Sequence, residues 1–211
     1  AGASGTIATA FVAKAPADGY TMLQGAISTH GIGPHFYTKT SYDFFKDFMP
    51  LGVVAEFSLV LAVNANLPVN SVKELIDLAK KKNGQMSFAT PGAGSAPHLT
   101  AELFMTEAGI KMLHVPYKGS PEAITETIAG RTAFYMAPFE TAMAQVRGGK
   151  ARALGITSMT RASVAPEIPT IAEQGYPNFD IGLWFGVYLT IAFWLRLKDM
   201  IYTKRSSVFD L

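Results

Sequence analysis

The chain has 211 residues, enough for one large domain or two small ones with a real core. Apolar residues make up 49% and charged residues 16%, which excludes a disordered protein, and a net charge of +2 gives no argument for nucleic acid or an anionic membrane. The chain has no cysteine, so disulfides, thiolate catalysis and cysteine-ligated zinc are excluded.

The opening AGASGTIATAF has neither the basic nor the long apolar region of a signal peptide, and it reads as a start inside a domain. Residues 5–15 pattern as a weak helix with Ile7, Phe11 and Val12 near one face, ended by Pro16, Asp18 and Gly19. YTMLQGA predicts a strand, and STHGIGPHFY a loop leading into a short helical piece. Asp43 and Asp47, four apart, read as a solvated helix face rather than metal ligands. LGVVAEF and SLVLAVN predict two strands or one long bent strand. NLPVNS turns the chain into SVKELIDLAKKK, where Ser71 and Glu74 spell a capping box ahead of the apolar face Val72, Leu75, Ile76 and Ala79.

QMSFAT is a short strand running into TPGAGSAP, and HLTAELFMTEA predicts a helix with Leu99, Leu103 and Phe104 inward and Gly109 as its cap. KMLHV then reads as a strand, PYKGS as a turn, and PEAITETIA as a helix with proline in its first turn, ended by Gly130. TAFYMA, FETAMAQVRGG and ARALGIT continue as strand, helix and strand. This alternation predicts an α/β protein with a largely parallel sheet. The apolar run IGLWFGVYLTIAFWL, residues 181–195, is short of the roughly 20 residues that span a bilayer, and it predicts a buried strand followed by irregular chain. RLKDMIYTKRSSVFDL shows no clear period.

The stretch with most chemistry is FATPGAGSAPHL, residues 88–99. It lacks the third glycine of a dinucleotide fingerprint, and no G-K-[ST] makes a P-loop. There is no G-x-S-x-G elbow; Ser95 and His98 are three apart, but no local acid orients His98, and Ser95 suits an N-cap. His30, His35, His98 and His114 form no H-x-x-x-H pair, so neither metal nor cofactor is expected. A carboxylate fits better. The first turn of a helix leaves N–H groups unpaired and carries partial positive charge. Gly92 and Gly94 let an anion approach the backbone, Thr90 and Ser95 add hydroxyls, and His98 adds a ring N–H. A plain glycine-rich turn with a capped helix accounts for the same residues, and both readings stand. A second loop, VPYKGSPEA, offers Tyr117, Lys118 and Gly119 ahead of another helix, and STHG follows an earlier strand. Ligands of open α/β sheets sit beyond the carboxyl ends of strands.

Taken together, DGYTML, the STH loop, LPVNSVKELIDLAK, ATPGAGSAPHLTAELF, HVPYKGSPEAITETIAG and GGKARALGITSMTRASVAPEIPTIAEQGYPNF resemble the tripartite tricarboxylate transporter solute receptors, the Bug-type binding proteins, over residues 1–188. The resemblance implies a two-lobed periplasmic-binding-protein-like (type II) fold, with a first lobe of residues 1–57 and 182–211 and a second of 58–181. It implies a small carboxylate held in the cleft between the lobes and handed to a membrane permease, without catalysis, in the periplasm. Carried over, Thr90, Gly92, Ala93, Gly94, Ser95 and His98 grip a ligand carboxylate, Ser28, Thr29 and His30 face it from the first lobe, and Tyr117, Lys118, Gly119, Ala137 and Pro138 line the second. The family's chains start earlier and continue differently beyond GLWFGVYL, which leaves the first lobe incomplete and self-association through it open. A ligand-sensing effector module and a Ser95/His98 hydrolase are the alternatives.

Overall fold

Two long apolar runs carry the chain between its two compact units: β2 (Phe48–Asn64) and β7 (Gly182–Thr190). One unit is Glu56–Leu183; the other is formed by Gly5–Ala55 and the segment from Trp184 onward. The computed structural model describes the backbone of residues 5–37 and 39–206, and side chains through Lys198. The expectations for 1–4 and 207–211 as ends of the first lobe lie outside the described residues.

In the larger unit the strand order is β6–β2–β5–β3–β4, with β3 (Ser87–Thr90), β4 (Leu113–Pro116), β5 (Phe134–Pro138) and β6 (Ala151–Ile156). β3 pairs parallel with β4 and β5, but β2 runs antiparallel to both β5 and β6. The sheet is therefore mixed, where the alternation predicted a largely parallel one. Crossover helices keep β3 to β6 in one direction, and β2, arriving from the other unit, inserts against them. Val60, Ala62, Ala89, Tyr135, Ala137 and Ile156 lead the buried cluster beneath helices α5 (Ser120–Ile128) and α6 (Phe139–Arg147).

Helix α3 (Val72–Lys82) starts where Ser71 predicts, the hydroxyl accepting the Glu74 N–H at 3.2 Å. Its capping box is displaced by one residue: the Glu74 carboxylate accepts the N–H of Asn70 at 2.6 Å. The N–H of Val72 donates instead to the Gln174 side chain at 3.1 Å. Helix α4 (Ala96–Ala108) buries Thr100, Ala101, Phe104, Met105 and Ala108. Leu99 and Leu103 remain 37% and 39% exposed, contrary to the inward placement expected of them. Both stripes have helical period; the one carrying Thr100, Ala101 and Ala108 is small enough to lie close to the sheet.

Residues 157–181 hold little regular structure but are pinned by side chains. Thr170 and Glu173 cap each other reciprocally, Arg161 pairs with Glu173, and the Gln174 amide donates to the carbonyl of Leu154. Arg152 donates to the carbonyls of Ala65, Leu67 and Val69.

The other unit has α1 (Thr6–Ala13), and β1 (Leu23–Ala26) antiparallel to β7. Ile27–Ile32, expected as loop, is a π-helical turn leading into α2 (Gly33–Phe36). The Thr29 hydroxyl fastens its start, accepting the Ala26 N–H at 2.9 Å. Asp43 and Asp47 occupy a turn rather than a helix face. Asp43 accepts the N–H groups of Phe45 and Lys46, and Asp47 accepts that of Asp43, local bonds that compete with helix. Val12, Leu23, Tyr42, Phe44 and Phe48 form the core. Beyond β7, where irregular chain was expected, α7 (Ile191–Ser206) forms, and the Asp47 carbonyl receives its first N–H at 2.9 Å. Among the described residues no helix is long and apolar enough to cross a membrane.

Candidate functional site

Strand β3 delivers the glycine loop. Phe88 and Thr90 share one face of the strand, while Ala89 joins the core on the other. The parallel register sets Phe88 opposite His114 of β4, and on the diagonal His114 Nε2 lies 2.6 Å from Thr90 Oγ1. Thr90 Oγ1 also accepts the Gly92 N–H at 3.2 Å, and the Thr90 carbonyl accepts the Tyr117 N–H at 2.8 Å. Ser95 is the N-cap of α4: its oxygen accepts the His98 N–H at 3.3 Å, and its hydroxyl donates to the Gly92 carbonyl at 2.7 Å. Gly94 donates its N–H to His98 Nδ1 at 3.2 Å.

These bonds revise the expected cradle. The N–H groups of Gly92, Gly94, Ser95 and His98 all have partners inside the segment, and Pro97 has none to offer. Thr90 is fully buried and Ser95 nearly so, so their hydroxyls shape the loop. His98 contributes an acceptor nitrogen to Gly94 rather than a ring N–H to the loop. Ala93 is exposed at the tip, with Gly92 half-buried beside it. The glycines are required by conformation: Gly92 has φ 133° and Gly94 φ 73°, which side-chain-bearing residues rarely adopt. Ser95 and the His98 ring are each engaged with backbone groups, an arrangement unlike a nucleophile and its base.

Behind the loop, the His98 and His114 rings stack at 4.1 Å, and His114 stacks on Phe88 at 5.1 Å, itself stacked on Phe134 at 5.4 Å. Burial holds both imidazoles below their usual pKa. Glu102, 3.6 Å from His98 Nε2 and half-exposed, opposes this for His98 without overcoming it, so the pair is not a salt bridge at neutral pH. His98 lowers His114 further.

Tyr117 is half-buried against the core, and burial raises its hydroxyl pKa. Lys118 is exposed, and its N–H donates to the Glu122 carboxylate at 3.0 Å. Gly119 has an extended backbone, φ 170°, that any residue adopts. Ala137 is wholly buried with its side chain in the core, and Pro138 stands at the N-terminus of α6. The structure thus gathers Thr90–His98 with Tyr117 through backbone and side-chain bonds. Ser28, Thr29 and His30 belong to the other unit. There Thr29 Oγ1 lies 2.9 Å from His30 Nδ1, and the His30 ring stacks on Tyr188 at 4.0 Å. Gly25 makes room: a Cβ there would meet Tyr188 at 2.6 Å and His30 at 2.7 Å. Nε2 of His30 is buried without a partner, and burial lowers the ring pKa from 6.5 to about 4. His114 was missed from sequence; its signal is a polar ring on a strand otherwise apolar, meaningful only once β4 is placed beside β3.

A cavity of about 520 Å³ lies at the Ser87 end of β3, lined by Asn64, Lys82, Gln85, Ser87 and Arg131 among others. The loop occupies the carboxyl end, where ligands of parallel strands bind, and its geometry carries more weight than the cavity's size.

Solved structures share this fold. An R. palustris protein solved with adipate is 35% identical with a TM-score of 0.87, over 90% of this chain and 63% of that one. The periplasmic binding protein BugD is 30% identical with a TM-score of 0.83, over 90% and 63%. MatC from Rhodopseudomonas palustris, with bound malate, is 28% identical with a TM-score of 0.82, over 90% and 64%. The fold is therefore that of the periplasmic binding proteins. Residues 1–191 match the Tripartite tricarboxylate transporter family receptor, and the chain belongs to that family. It spans less than two thirds of the length of these structures and 56% of a curated relative.

Proposed function

We propose that the chain is the ligand-capturing part of a periplasmic solute receptor that binds a small carboxylate and passes it to a membrane permease. The observation that carries this is the glycine loop at the carboxyl end of β3. It is folded in advance, opened by two positive-φ glycines, and set at the N-terminus of a 13-residue helix. Relatives solved with adipate and with malate support a dicarboxylate as ligand. The acid is received at the loop tip, where Ala93 is exposed and Gly92 half-buried beside it, with water or a loop adjustment completing its contacts.

Calorimetric titration with adipate, malate, citrate and an aromatic acid tests this. Saturable binding of at least one dicarboxylate is expected, and Ala93→Asp, which adds like charge at the loop tip, weakens it tenfold or more, about 1.4 kcal/mol. No binding across the panel would sink the receptor reading. A turnover of ester substrates abolished by Ser95→Ala would favour the hydrolase, and a native DNA-binding segment the sensing module. Leu51, Val53 and Val54 are exposed on β2, which supports self-association; a purely monomeric sedimentation profile refutes that part.

A further inference from the structure

We propose that His114 is a positioning residue: its ring nitrogen fixes the Thr90 hydroxyl, the hydroxyl fixes the Gly92 amide, and the loop is thereby set to receive its acid. The inference rests on the reading of that loop as the carboxylate site. A threonine hydroxyl has one hydrogen and two lone pairs. Here one lone pair takes the Gly92 N–H, and the short contact to His114 Nε2 fixes the rest, inside a fully buried side chain. Without His114 the hydroxyl would turn freely and Gly92 would lose a fixed acceptor.

The arrangement is doubled. Just as His114 governs Gly92 through Thr90, His98 governs Gly94 directly. Because His98 Nδ1 accepts, its ring hydrogen is on Nε2, toward Glu102. The two rings stack on one another, so each holds the other in the orientation its glycine needs. The two left-handed glycines of the loop are thus the two tied to imidazoles, Gly94 directly and Gly92 through Thr90, whose partner His114 lies 24 residues further on in another strand.

His114→Phe keeps the ring stack and the volume but removes the nitrogen; His114→Gln returns a polar group near the Nε2 position. Amide exchange of unliganded protein, read residue by residue by NMR, should show Gly92 exchanging about tenfold faster in His114→Phe and restored to within about threefold in His114→Gln. Thr90→Val should expose Gly92 equally, and the double variant should add little to either single change, as expected of one relay. Should His114→Phe fail to fold, His114→Leu, which likewise removes the ring nitrogen, takes its place. Unchanged Gly92 exchange in the folded variants overturns the proposal, even if the protein binds an acid. If Gly92 responds as expected but no acid binds the wild type, the positioning role stands and the receptor reading falls.

Discussion

Thr157→Val is predicted to destabilise the larger unit by more than Thr157→Ser, the reverse of what buried volume alone dictates. Strand β6 ends at Ile156, and Thr157 completes its pairing with a side chain. The Thr157 oxygen accepts the Leu59 N–H at 2.9 Å and its hydroxyl donates to the Ile181 carbonyl at 2.7 Å. Its own N–H donates to the Leu59 carbonyl and its carbonyl accepts from Ile181. Both Thr157 and Leu59 are fully buried. Valine has nearly the same shape, so it leaves the buried Leu59 N–H and the half-buried Ile181 carbonyl without these partners, at about 1–3 kcal/mol for the unsatisfied donor and less for the carbonyl. The added methyl returns about 1 kcal/mol of burial, and the net loss is about 2 kcal/mol. Serine keeps both bonds and gives up one methyl, about 1 kcal/mol. Urea denaturation followed by far-UV circular dichroism measures this, because both tryptophans, Trp184 and Trp194, lie outside the larger unit. With a slope of about 2 kcal/mol per molar, the valine variant should unfold about 1 M earlier at unchanged slope. A valine variant as stable as the serine one would refute the reasoning.

Acid should weaken the smaller unit through His30. Burial favours its neutral ring in the folded state, so the unfolded chain protonates first as pH falls; the stabilisation is full above about 6.5 and lost as pH falls to about 4. Partial solvent screening of the ring discounts the effect to about 1–2 kcal/mol, and tryptophan fluorescence melts should show the decline vanish in His30→Phe. Gly94→Ala should cost about 1–2 kcal/mol because φ is 73°, whereas Gly119→Ala, at an extended position with ordinary contacts, should stay within about 0.5 kcal/mol. Phe104→Ala should cost about 3–5 kcal/mol while Leu103→Lys costs under about 1, by thermal or urea unfolding; equal losses would contradict the outward placement of Leu103.

Local signals were readable wherever one residue settles a boundary. Ser71, Ser95, Gly109 and Gly130 mark helix ends because capping and left-handed φ depend on immediate neighbours. The motif PT-x-AE near the chain's end was readable as a family mark, and its physical content is the Thr170–Glu173 reciprocal cap. What depends on adjacency in space was not readable. Leu99 and Thr100 compete for the inward face of α4 with equal periodicity, and only the sheet decides between them. The direction of β2 needed knowledge of its neighbours. The role of Thr90 reversed, from a hydroxyl offered outward to one turned inward, because its partner His114 is distant in sequence and reaches it only across the diagonal of the β3–β4 pair.

The Gln174 bond to Val72 and the Arg152 bonds to Ala65, Leu67 and Val69 also set a timetable. The first turn of α3 and the turn before it are secured by groups 83 to 102 residues downstream. During synthesis at roughly 5–20 residues per second, Val72 waits about 5–20 s for its partner to be made. Over that interval the α3 region of the nascent chain has its helical face but not its anchors.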